Sequence, residues 1–373
     1  MSVDTGNYSG VLESNVQTVA FRELPWKRAF HFYRYLTWPC VAYWLIGIAV
    51  LLAYKPALMN DFMLDVANFF IGSMIMISAA GMIFVLNHVI RERPASPFSS
   101  IWKALRREHL RNDNLPFILI PWVLLAISIT VFVKLKVVIP QVNPFWADNL
   151  AHDLDLMLHF GTHPWEWLAP YTNHYNVAFW LHRNYYVWFP CIYITFYWQV
   201  CTVQNPKLRL QFIMAFIGAW VLIGSGMATA LSSVGPIFYD RIPEGNATTY
   251  AVPLAFLQSM NAVEPLLTLE IREQLWNSYQ GIVENRYVRG ISAMPSMHVA
   301  MAFLLVLLGW NKSRFAFVTY SIFALAIAIA SVSLLWHYAV DGYVSIIAVA
   351  LIWWGAGKLA EKAVASDPVF SKQ

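Results

Sequence analysis

What constrains this chain most is a recurring length. Apolar runs long enough to cross a hydrocarbon core as a helix, about 20 residues, occupy positions 35–54, 66–86, 115–139, 185–203, 210–234, 295–310, 315–336 and 338–355. In lipid every backbone N–H and C=O needs a protein partner, which only helices and closed barrels provide. The runs are continuous and lack the alternation of a barrel strand, so they read as helices. The expected architecture is an all-α polytopic membrane helix bundle of about eight spans. The sixth run is short and the last two nearly abut, which leaves counts of seven and nine open. Composition points the same way: 58% of residues are hydrophobic and only 12% charged, about half the charge of a soluble domain. A soluble globular enzyme, a disordered chain and a nucleic-acid binder are excluded. The three cysteines, Cys40, Cys191 and Cys201, lie in apolar runs and suggest no disulfide framework.

Eight spans place both termini on one face. That face collects 17 Lys and Arg against 8 acidic residues, while the other holds 8 basic and 13 acidic ones. Positive loops mark the cytoplasm, so the termini are expected there, in a plasma (inner) membrane, with the opposite face toward periplasm or lumen. Residues 1–114 then form a tail, two extra spans and a basic loop. A six-span core covers 115–357, and 358–373 is a cytoplasmic tail. The core has two long outer loops, 141–184 and 235–294. Apolar residues at three- and four-residue steps in 145–160, and again in 263–279, predict helices lying in the interface.

The chemistry concentrates at the outer ends of the sixth and eighth spans. The sixth opens Pro295-Ser296-Met297-His298; proline suits a first helical turn, and the free N–H groups there, with the Ser296 hydroxyl and His298, would suit a phosphate. The eighth opens His337-Tyr338-Ala339-Val340-Asp341, and the four-residue spacing puts His337 and Asp341 on one helix face. The carboxylate can hold the imidazole in one tautomer. Each piece alone is commonplace; together, at one depth of the membrane, they form a functional constellation. His152, His159, His163 and His174 show no tight ligand pair with a carboxylate, so no metal is expected. Lys134 and Lys136 close the third span and are read as snorkelling outward.

These residues resemble the type-2 phosphatidic acid phosphatase superfamily. Pro295-Ser296-x-His298 and His337-x-x-x-Asp341 look like its second and third signatures, and His337-Tyr338-x-x-Asp341 resembles the inositol phosphorylceramide synthase-like (inositolphosphotransferase) branch. The stretches 290–298 and 336–343 are similar to bacterial members of that branch. The resemblance spans about 115–356. It implies a six-span core and cofactor-free, metal-independent phosphoryl transfer through a phosphohistidine. By position His337 would be the nucleophile, Asp341 its orienting partner and His298 the general acid. The first signature, a lysine followed by Arg-Pro, is missing: the one Arg-Pro is Arg93-Pro94, with Leu86 at the lysine position. Its expected place holds Gly235-Pro236-Ile237-Phe238-Tyr239-Asp240-Arg241. A phosphate still needs cations, and Arg241 and Arg289, each near a core span end, are the expected ones, ahead of Arg286, Arg272 and Arg183. Ser296 and Tyr239 complete the phosphate-binding set.

The expected function is thus an integral membrane lipid phosphotransferase or phosphatase acting on membrane lipid substrates. It would move a phospho-headgroup to a lipid acceptor or, with water as acceptor, act as a plain lipid-phosphate phosphatase. A proton-coupled transporter using the same histidines and aspartate is the alternative from another class. It is disfavoured because the ionisable groups sit at span ends rather than at the midplane.

Overall fold

The computed structural model describes residues 25–108, 114–202, 205–243, 245–246, 248–282 and 290–372. Its regular elements are helical, with no strand among the described residues. In chain order they are α1 Pro25–Phe32, α2 Arg34–Tyr54, α3 Phe62–Glu92, α4 Pro97–Glu108, α5 Leu115–Val142, α6 Ala147–Leu158, α7 Pro164–Thr172, α8 Tyr175–Cys201 and α9 Pro206–Val221. There follow α10 Ala251–Val263, α11 Leu267–Tyr279, α12 Met297–Trp310, α13 Arg314–Ser333 and α14 Ala339–Ala365. A wider π turn, Leu222–Met227, prolongs α9 as far as Ala230.

Six helices are long and apolar enough to cross a membrane: α2, α3, α5, α9 with its extension, α13 and α14. Two more, α8 with 27 residues and α12 with 14, coincide with the fourth and sixth expected runs without meeting that mark, α8 by composition and α12 by length. This is a multi-pass helical bundle. The α8 helix starts at Tyr175 rather than near 185, because His182-Arg183-Asn184 interrupts an apolar run without interrupting a helix. Buried His182 is accommodated by a hydrogen bond to the Thr268 hydroxyl at 3.0 Å. An additional helix, α10, lies in the second long loop, where sequence periodicity had indicated only the one now seen as α11.

Burial sorts the helices into layers. The most apolar stretches of α5 and α9 are 67% buried, against 22% for α2 and 11% for α3. The first pair forms the interior. The second packs outside it, α2 along α5 and α3 along α8 and α5. Helices α12 and α14 pack on each other and on α9, with α13 against α12 and α8.

The two ends of the bundle are fastened differently. At one end Arg28 forks onto Asp367, with Nε 2.9 Å from Oδ2 and Nη2 2.9 Å from Oδ1. The Phe370 ring closes on Phe32 and Phe117 there. Helices near the N- and C-terminal ends of the described chain therefore meet at one end of the bundle. At the other end Lys134 does not snorkel. It is 1% exposed, 2.6 Å from Asp65, and donates to the Leu58 carbonyl at 2.7 Å. A helix with a carboxylate and a free carbonyl beside it gives the ammonium a nearer partner than water.

Candidate active site

The ends of α12 and α14 meet opposite the Arg28–Asp367 clasp. Ser296 caps α12, accepting the Val299 N–H at 3.3 Å. Its own N–H donates to the Asp341 carbonyl, and its carbonyl accepts from the Ser345 hydroxyl at 2.9 Å. Ser296 thereby locks the start of one signature helix to the other. Its hydroxyl is buried within this cap rather than turned to the cavity beside it.

His337 lies just before α14. Its Nδ1 is 2.8 Å from the Ala293 carbonyl and 3.3 Å from Asp341 Oδ2. A carbonyl oxygen only accepts, so Nδ1 carries the proton and the lone pair is left on Nε2. Asp341, fully buried, also accepts the Tyr338 N–H at 3.1 Å. The His298 ring is held by aromatic contact instead: Tyr185 stacks on it at 4.2 Å between centroids and Trp188 lies at 4.4 Å. The Trp188 indole also donates to the His298 carbonyl at 2.9 Å. The centroids of the His298 and His337 rings are 6.0 Å apart. That separation leaves room for one small group between the two rings. Both rings line a cavity of about 340 Å³ whose other walls are largely aromatic and aliphatic, including Phe132, Trp220 and Phe238.

The turn that carries His337 is set from outside the signatures by α6. Asp148 accepts from the Ser233 hydroxyl at 2.8 Å, the Val234 and Gly235 N–H groups at 2.9 Å each, and the Tyr338 hydroxyl at 3.1 Å. Asp155 accepts the Ala339 and Val340 N–H groups at 2.9 and 2.8 Å, capping α14 where a helix favours negative charge. Burial raises both carboxyls above the usual range, against the donated hydrogen bonds that lower them. Gly235 is needed where this network narrows. Its φ is +85°, and a Cβ there would sit 2.8 Å from both the Ala293 Cβ and the Trp336 carbonyl oxygen. Asp148 and Asp155 escaped the sequence reading, which took α6 for an interfacial helix; their seven-residue spacing, two turns on one face with Ala151 between, was the available signal. Asp155→Ala should remove about 1–3 kcal/mol of stability and slow turnover by displacing His337. The unfolding midpoint in detergent checks it, and a midpoint equal to wild type refutes the clamp.

The remaining sequence candidates are spread out. Arg241 pairs with Glu273 at 2.5 Å and lies over the Trp276 ring at 5.3 Å; it is not among the residues lining the cavity. Tyr239 donates to Asn149 Oδ1 at 2.7 Å and stacks on His152 at 5.5 Å, again away from the lining. Arg272, 5% exposed, forks onto Asp240 at 3.0 Å and donates to the Ile237 carbonyl. Arg183 pairs with Glu264 on the surface. Arg286 and Arg289 lie outside the described residues. No group of three metal-ligating side chains occurs among the described residues.

A helical membrane bundle that brings two histidines to one apolar cavity, one of them backed by a buried aspartate, has the makings of a phosphoester-processing membrane enzyme. The sequence comparison gives the same class: a family model described as the PAP2 superfamily matches residues 150–355, more than half of the chain. The protein belongs to the PAP2 superfamily, whose members are phosphatases and phosphotransferases. No curated protein and no solved structure matches it.

Proposed function

We propose that this protein is a lipid phosphotransferase working through a phosphohistidine on His337. The observation that supports it best is the pinned Nδ1–H of His337, which leaves an Nε2 lone pair in the cavity shared with His298. In the first half-reaction Nε2 attacks phosphorus in line. The bond to the leaving oxygen breaks, and His298, which the negative phosphate beside it holds in the charged form, gives that oxygen its proton. Asp341 and the Ala293 carbonyl stabilise the imidazole as positive charge develops on it. In the second half-reaction an acceptor hydroxyl attacks the N-phosphoryl group, His298 takes the hydroxyl proton, and His337 is released. No metal is required by this sequence of steps, and activity is expected to persist in EDTA.

A lipid substrate is favoured by the walls. Val133 and Phe189 line the cavity and are also 37% and 47% exposed, so the cavity reaches the lipid-facing side between α5 and α8. A lipid could place its phosphate at the histidines without leaving the bilayer. The expected acceptor is a lipid or polyol hydroxyl, as in the inositol phosphorylceramide synthase-like branch. The charge asymmetry of the loops favours a site on the periplasmic or lumenal face.

The test is a rapid acid-free quench of the reconstituted protein with a phosphate-labelled lipid donor. A label on protein that is stable to base and lost in acid is expected, and it should discharge onto an added lipid alcohol. Discharge onto water alone would identify a hydrolase. No labelled protein under single turnover, with product formed, would overturn the covalent route.

A further inference from the structure

We propose that Lys136 is the cation that holds the substrate phosphate, filling from α5 the role for which no signature lysine or arginine is available. The inference rests on the reading of the cavity as a phosphoryl-transfer site and assigns a positioning residue to it. Lys136 lines the same cavity as His298 and His337 and is the one lysine or arginine among the described lining residues. Its ammonium has no hydrogen-bond or ion-pair partner among the described residues, unlike Lys134 one face away, which holds Asp65. An ammonium kept half-buried beside aromatic walls, with no counter-ion among the described residues, is costly. A group retained at such cost suits an anion that arrives with the ligand.

The backbone fixes where this charge sits. Pro140 stands four residues beyond Lys136 inside α5, so the Lys136 carbonyl has no intrahelical N–H to accept. Gly290 packs against that opened carbonyl: with φ at +73°, a Cβ on Gly290 would lie 2.6 Å from the Lys136 carbonyl carbon and oxygen. The segment leading to the Pro295–His298 signature is thus seated directly on the residue that carries the charge. A single ammonium also matches a phosphodiester, which carries one negative charge, better than a monoester dianion.

The experiment uses the full-length protein in phosphatidylcholine nanodiscs with orthovanadate as the probe. Binding is read from the fluorescence of the cavity residues Trp188, Trp220 and Trp336 and from the shift in unfolding midpoint. Wild type is expected to bind vanadate and melt later in its presence. Lys136→Met should weaken binding by about tenfold or more yet melt, without vanadate, at or above the wild-type midpoint, because an uncompensated charge is gone. Lys136→Arg should stay within about threefold of wild-type affinity, since the charge is kept. Unchanged vanadate affinity in Lys136→Met overturns the assignment while leaving the His337 reading in place. Equal destabilisation of both variants without vanadate assigns Lys136 a structural role and also overturns it. Absence of vanadate binding by wild type removes the phosphoryl site itself, and this inference with it.

Discussion

Replacing His337 by alanine should lower phosphoryl turnover by about 10⁴-fold or more, the scale on which removal of a covalent nucleophile is felt. The loss is expected with little change in unfolding midpoint. The ring is partnered through one nitrogen, and the α14 cap is held by Asp155 without its help. A labelled donor in proteoliposomes measures turnover. Activity within tenfold of wild type would rule out attack by this imidazole. Asp341 makes a useful contrast. Its Oδ2 is the longer of the two acceptors for Nδ1, at 3.3 Å against 2.8 Å for the Ala293 carbonyl. The backbone would keep the tautomer after Asp341 is changed, so that variant should lose less than the nucleophile does.

His298→Ala is the second large effect. General acid catalysis contributes roughly 10²–10⁴-fold, and the deficit should depend on what leaves. With an alkoxide leaving group the full factor is expected. With a nitrophenolate ester, whose leaving oxygen needs no proton, the variant should approach wild type in the first half-reaction. Rates for the two esters decide it; equal deficits would mean that His298 positions the phosphate rather than protonating the departing oxygen. The aromatic contacts of Tyr185 and Trp188 with this ring give the alanine variant a void to fill. His298→Gln, closer in volume, is the better control for packing.

How far the sequence reveals this site depends on what kind of information fixes each residue. His298, His337 and Asp341 were legible because their order, spacing and span-end positions are properties of the chain itself. Helix periodicity then needs only the bundle to bring the two ends together. Asp148 and Asp155 were not, because their partners are backbone N–H groups some 85 to 185 residues away; a carboxylate stripe on a short amphipathic helix looks the same whether it faces water or a helix terminus. Lys134 and Lys136 show the limit most simply. Two residues apart on α5, they read as one pair of snorkelling cations, yet one is spent on Asp65 and the other faces the cavity. Arg241 lies near a span end in the sequence, but nearness along the chain does not set direction, and Glu273 offers it a closer partner.

The dependence of the α14 start on α6 has a consequence for biogenesis. Asp148 and Asp155 leave the ribosome long before the N–H groups of Ala339 and Val340 that Asp155 will accept. Until the last helix enters the bilayer, that carboxylate has no terminus to cap, and water must solvate it. A nascent chain halted after α13 would therefore hold a hydrated, unlatched α6. Docking of that helix gives Asp155 its two N–H partners and brings the Tyr338 hydroxyl onto Asp148 in the same movement.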